Sequence, residues 1–272
     1  MSNRLLKTAF GTARELAEYS DIPNAKKMWE LLGGDAKHFQ TSKKVSGMPW
    51  SVELRYKASE TIIKNIRNKE GIKQTIEMAS GFTPHALNLL GKKVLNNYIE
   101  SDFDANIKRK KFINNVLGNG LNIQYVSGNL FSKITWNKIE SKLNPGKVII
   151  FSEGFIVYTT KQERNELSEL IKPLLKKRGG YFVFEDSIRF QADFLKNKNF
   201  NLFFKKLSIV NGKKLNLISQ EEMIAEWMSR GFKVEREAIK NIRLKSESLR
   251  PEFVDDVKLL KKNYRMWKLS LM

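Results

Sequence analysis

The stretch Gln74-Thr-Ile-Glu-Met-Ala-Ser-Gly-Phe-Thr-Pro-His-Ala-Leu87 constrains this chain more than any other. It sets a short apolar run carrying an acid before a small-residue turn and a helix start. Ile76 to Ala79 reads as a buried strand, and Ala79-Ser80-Gly81 as a turn where backbone approaches a ligand without a Cβ in the way. Thr83 is expected to cap a helix beginning at Pro84. A Gly-containing turn of this kind also occurs as an ordinary connection between strand and helix. About 20 residues on, Val94 to Phe103 reads as a second strand whose end carries Glu100 and Asp102. An acid at that point can accept hydrogen bonds from both hydroxyls of a ribose lying across the first turn.

Strands then alternate with helices along the chain. Leu121 to Val126, Lys147 to Ser152 and Tyr181 to Glu185 read as strands three to five, and Phe232 to Glu237 and Arg265 to Leu271 as the last two. Between them, Ala105 to Leu117 is a basic helix and Gly118-Asn119-Gly120 a turn. Thr160 to Lys177 is a helix capped by Thr160 and ended by Gly179-Gly180, and Ser219-Gln-Glu-Glu222 is a capping box for a helix that stops by Gly231. This alternation implies a mostly parallel sheet with crossover connections. Ahead of it, residues 1 to about 33 read as helical with a break at Asp21-Ile-Pro23. A polar segment from Asp35 to Met48 is expected as a loop, and Ser51 to Arg67 as an amphipathic helix.

Glu77-Met-Ala-Ser-Gly-Phe-Thr-Pro84, Tyr98-Ile-Glu-Ser-Asp-Phe103 and Ile150-Phe-Ser-Glu-Gly-Phe-Ile-Val-Tyr158 together resemble the successive motifs of class I S-adenosylmethionine-dependent methyltransferases. Within that class the chain is similar to the leucine carboxyl methyltransferase-like group, which includes polyketide O-methyltransferases. The resemblance runs from about Arg55 to the C-terminal strand. It implies a Rossmann-like α/β fold with a seven-stranded, mostly parallel sheet and one antiparallel edge strand. A helical N-terminal extension (residues 1–50) would precede the cofactor-binding domain (residues 51–272).

The same resemblance implies S-adenosyl-L-methionine as cofactor and a set of site residues. The acid Glu77 and the turn residues Ala79 and Gly81 would lie along the methionine part, and Asp102 would bind the ribose. Glu100 would assist that contact or belong to the strand end. Asn129, standing where the family often has an acid, would with Leu130 border the adenine. Its amide still accepts and donates, although Gly128-Asn129-Leu130 also reads as an Asx turn. Arg55 would meet the cofactor's carboxylate, a task suited to a bidentate guanidinium, or stay a surface helix residue. Glu153 would lie near both cofactor and acceptor, and Glu153 and Tyr158 would orient the acceptor's hydroxyl or carboxylate. Tyr158 also reads as a core residue with its hydroxyl at the surface. His85 departs from the family's arginine and is read as a structural hydrogen-bonding residue at a helix start.

The reaction implied is O-methylation of a small molecule, with a protein carboxylate as a second acceptor class. A non-catalytic cofactor-binding protein is the alternative, motivated by Asn129 and His85. A formal charge of +20 raises nucleic acid as a partner, but the lysine runs, among them Lys108-Arg-Lys-Lys111, are scattered and read as solvated faces. With no cysteine and two histidines, His38 and His85, that form no cluster, no metal site is expected. No apolar run reaches membrane-spanning length or forms a signal peptide core, so a cytoplasmic protein is expected. Five phenylalanines between residues 188 and 206 are read as an apolar helix face, with an acceptor pocket as the other reading.

Overall fold

The computed structural model describes residues 2–34, 49–185, 219–246 and 254–272, with backbone alone for residues 2–7 and for 49, 256, 259, 260 and 263. The expected loop over 35–48, with His38, and the phenylalanine segment over 188–206 lie outside these residues.

Three helices come first: α1 (Ser2–Tyr19), α2 (Ala25–Leu31) and α3 (Pro49–Glu70). Then follow β1 (Gln74–Met78), α4 (His85–Gly91), β2 (Asn97–Asp102), α5 (Asp104–Leu117), β3 (Ile123–Ser127), α6 (Lys133–Glu140) and β4 (Val148–Ser152). A single 3-10 turn at Ile156–Tyr158 leads to α7 (Lys161–Arg178), β5 (Gly180–Glu185), α8 (Gln220–Met228), β6 (Phe232–Ala238), α9 (Val254–Asn263) and β7 (Arg265–Leu271).

The seven strands pair in the order β3-β2-β1-β4-β5-β7-β6. β1 to β5 are mutually parallel. The outermost strand β6 pairs antiparallel with β7, which pairs antiparallel with β5. This is the Rossmann-like sheet, with antiparallel pairing at one edge, that the family resemblance implies. The strand order reverses between β1 and β4, so the chain leaves these neighbours toward opposite flanks and a crevice opens beyond their carboxyl ends.

Apolar side chains cover both faces of the sheet, and β4 (Val-Ile-Ile-Phe-Ser) is the near-continuous hydrophobic run that such burial favours, while β1 and β2 mix apolar residues with buried polar ones. On one face Trp50, Leu54, Ile62 and Ile66 of α3 and Leu89 and Leu90 of α4 pack with Tyr98, Ile149 and Phe151. On the other, Trp136 of α6, Leu167 and Ile171 of α7 and Trp227 of α8 pack with Ile76, Ile99, Ile150 and Phe182. Both capping boxes form: Thr160 with Glu163, and Ser219 with Glu222.

Four local expectations change. Thr83 makes no helix cap: α4 starts one residue later than expected, with Pro84 at the cap position, and the Thr83 hydroxyl shares its one proton between Glu77 and the Ser80 carbonyl, each 3.2 Å away. β2 begins at Asn97, since Lys93 takes a positive φ of 55° and closes α4 in a turn through residues 92–94. Helices α6 and α9 are additions to the sequence reading: α6 is only eight residues, with three buried, and α9 lies beyond the last breaker signal. Lys110, read as solvated, is 1 % exposed.

Candidate active site

The residues after β1 form a tight turn in which Ala79 (φ 51°) and Gly81 (φ 49°) both take left-handed backbone. Asp102, at the end of β2, locks it. Its carboxylate accepts from the Gly81 N–H (2.8 Å) and the Phe103 N–H (2.6 Å). Burial raises the Asp102 carboxyl above its ordinary range, against the lowering effect of these two N–H donors. The Asn106 side chain is a third hydrogen-bond partner, which leaves the carboxylate room for one further donor, such as a ribose hydroxyl.

Glu77 and Glu100 point into the layer between sheet and helices. Glu77 accepts from Thr83 and from the Tyr98 hydroxyl (2.9 Å). Glu100 is fully buried against the Lys110 ammonium (3.0 Å) and the Asn114 amide (3.0 Å). Burial pushes the Glu100 carboxyl up to about 7 despite Lys110. Of the two strand-end acids, then, Asp102 faces the turn and Glu100 serves the interior. Lys110 also donates to the Ser80 carbonyl (3.0 Å), so the pair braces the turn from below.

Asn129 adopts the Asx turn, its Oδ1 accepting from the Phe131 N–H (3.0 Å), and its side chain is exposed at the crevice rim. Leu130 is buried beside it, and its carbonyl accepts from the Trp136 indole (2.8 Å).

A second group gathers beyond β4. Glu153 contacts His85 (2.9 Å) and the Arg55 guanidinium (3.7 Å). His85 is stacked on Tyr56 with ring centroids 4.0 Å apart and meets Phe151 edge-on. Burial depresses the imidazole, but the hydrogen bond to Glu153 and the charges of Glu77 and Glu60 outweigh it, and the group ends above its ordinary value. The structural hydrogen bond expected of His85 is present, its Nε2 meeting Glu153 from the first turn of α4. Arg55 lies over Gly154, where a Cβ would come 3.6 Å from Nη1, and it feels Tyr158 and Tyr264. Tyr158 is half-buried against the α3 face of the core.

Sequence reasoning passed over Glu185. It ends β5, is 2 % exposed, and accepts from the Gly154 N–H (2.7 Å). Burial pushes it up to about 7, with Arg55 opposing and Glu153 reinforcing. Its sequence signal was an acid closing a buried strand; its place beside Glu153 follows only from the β4 and β5 register.

The crevice also carries buried hydroxyls that bond to none of the described residues: Ser80, Ser101 and Ser152. Ser101 and Ser152 flank Met78 on the neighbouring strands. Orphaned polar atoms at the carboxyl edge, beside Asp102, suit a polar ligand with several donors and acceptors, as S-adenosylmethionine is. Among the described residues no cluster fits a metal ion, and no helix is long and apolar enough to cross a membrane.

No family model matches the sequence, and no curated protein matches it. Solved structures do match the fold. A DUF574 family protein from Streptomyces avermitilis has a TM-score of 0.61 at 11 % identity, over 97 % of this chain and 96 % of that one. A methyltransferase from Thermobifida fusca, so described as a presumed activity, has 0.61 at 10 %, over 97 % and 93 %. Magnesium protoporphyrin IX methyltransferase from Synechocystis, with S-adenosylhomocysteine bound, has 0.51 at 9 %, over 92 % and 95 %. By its sheet order and by these likenesses, the chain has the fold of the S-adenosylmethionine-dependent methyltransferases.

Proposed function

We propose that this chain is an S-adenosylmethionine-dependent O-methyltransferase acting on a small molecule. The observation that carries the reading is Asp102 at the end of β2, holding the Gly81 turn across the switch point of a sheet with the methyltransferase fold. Likeness to proteins described as O-methyltransferases, from Burkholderia thailandensis among others, supports it.

When bound, S-adenosylmethionine supplies a methyl group activated by its sulfonium. The chain's part is to position and to exclude water. Asp102 accepts from the ribose hydroxyls, and the orphaned Ser101 and Ser152 hydroxyls take polar edges of the same ligand. Leu130 offers an apolar wall for the adenine, with Asn129 at its rim. Arg55 holds the carboxylate of the amino acid part, while Glu153 and Tyr158 border the acceptor.

Calorimetry with S-adenosylmethionine and S-adenosylhomocysteine tests this. Micromolar binding in the wild type, abolished in Asp102→Ala, is expected; no heat from either ligand in the wild type would refute it.

A further inference from the structure

Glu185 is buried at the carboxyl edge with one oxygen committed and the other free. Oε1 accepts from the Gly154 N–H at 2.7 Å, whereas Oε2 finds no partner among the described residues. A buried acceptor left unmatched is costly unless a ligand supplies a donor. The register of β4 and β5, with Ser152 opposite Phe184, puts Glu153 on the neighbouring strand beside Glu185. Arg55 is shared between these two carboxylates, and His85 is spent on Glu153.

An acceptor that reaches this edge therefore meets two acids and one divided guanidinium. Beside these two acids and the cofactor's own carboxylate on Arg55, a carboxylate acceptor would bring a fourth negative charge and no hydrogen. A hydroxyl acceptor would bring the donor that Oε2 lacks and no charge. We propose that the acceptor is a hydroxyl compound and that Glu185 is the catalytic residue that receives its proton, an inference that rests on the methyltransferase reading and narrows it. The balance is simple. The hydroxyl oxygen bonds to the methyl carbon, the carbon–sulfur bond breaks with its pair kept by sulfur, and the hydroxyl proton passes to Oε2.

The groups that face Glu185 from the described elements are Arg55 of α3, Glu153 after β4 and the Gly154 N–H. Burial, with Glu153 adding and Arg55 opposing, pushes its carboxyl up to about 7, where it takes and releases a proton near neutrality. A carboxylate acceptor would need no such base, being already ionised.

The test compares a matched pair of probes, 2-naphthol and 2-naphthoate, binding to the full chain saturated with S-adenosylhomocysteine, by calorimetry at about pH 8. The wild type is expected to favour the naphthol by about tenfold or more, the scale of like-charge repulsion in a partly buried site. Glu185→Gln keeps the shape, removes the charge and should bring the ratio close to one. In the wild type alone, naphthoate affinity should rise as pH falls through about 7 while naphthol affinity holds, which tests the idea even if the variant folds poorly. Preference for naphthoate, no binding of either probe, a ratio unmoved in Glu185→Gln, or naphthoate affinity flat with pH would each overturn it. Failure of the wild type to bind S-adenosylhomocysteine is a separate result that sinks the methyltransferase reading itself.

Discussion

His85 and Glu153 are hydrogen-bonded in the interior, Nε2 to Oε2 at 2.9 Å, with the imidazole fully enclosed and the carboxylate side chain 4 % exposed. Because the folded imidazole titrates above its ordinary value, the stability it adds is complete below about pH 6.5 and fades as pH rises through the higher folded value. His85→Gln leaves Glu153 with only the longer contact to Arg55. A loss of about 3 kcal/mol is expected near pH 6 and a smaller one near pH 9. Urea denaturation at both pH values measures it; equal losses would mean that the imidazole is neutral in the fold.

Ala79 and Gly81 predict opposite signs. Both sit at positive φ, but only Ala79 carries a Cβ there. Ala79→Gly relieves a left-handed strain of about 1–2 kcal/mol and gives back up to ~1 kcal/mol in chain entropy, so a gain of up to about 1 kcal/mol is expected. Gly81→Ala should cost about 1–2 kcal/mol through φ alone, because the added Cβ would stand 3.5 Å from Ala9, an ordinary contact. Denaturation midpoints that move together would contradict the geometry of the turn.

Lys110 and Glu100 compensate each other inside the fold. Lys110→Met removes one charge and strands the other, at a cost of about 3–5 kcal/mol. Adding Glu100→Gln should recover at least half of that, which a double-mutant cycle by chemical denaturation would read directly.

Glu100 and Glu185 both titrate at about 7 in the fold. These are raised carboxyls, so the folded state holds their protons longer than the unfolded chain does. The stability they contribute is present below about pH 4.5 and is lost as pH rises through about 7. Glu185→Gln should flatten that decline between pH 5 and 8 by about 1–3 kcal/mol. The opposite trend arises at Glu226, whose carboxyl is lowered by its hydrogen bonds to Arg164 and Arg230 against the cost of burial, and which loses stability only on acidification. Thermal denaturation across the window separates the two.

The sheet was legible because β1, β2 and β4 are runs buried on both faces, and short turns rich in Gly, Pro or Asn punctuate the chain between strands. The carboxyl-edge positions of Asp102 and Glu153 followed from the same punctuation. Glu100 and Asp102, two residues apart, share a face of β2 and looked equivalent; only the packing shows that the inner one answers Lys110 and the one at the strand end answers the Gly81 turn. Lys110 was hidden within a basic run whose neighbours are exposed. Glu185 needed the β4 and β5 register, a relation between residues 31 apart. Short α6 lacked the length to show a helical period.

Ala9 stands over Gly81, and the Phe10 ring lies 4.9 Å from Phe82. The first helix is thus seated on the turn that Asp102 locks. A ligand settling above that turn would lie against α1, which places the helix to slow its coming and going. Substitutions at Phe10 should therefore alter how fast ligands come and go well before they alter how tightly they are held.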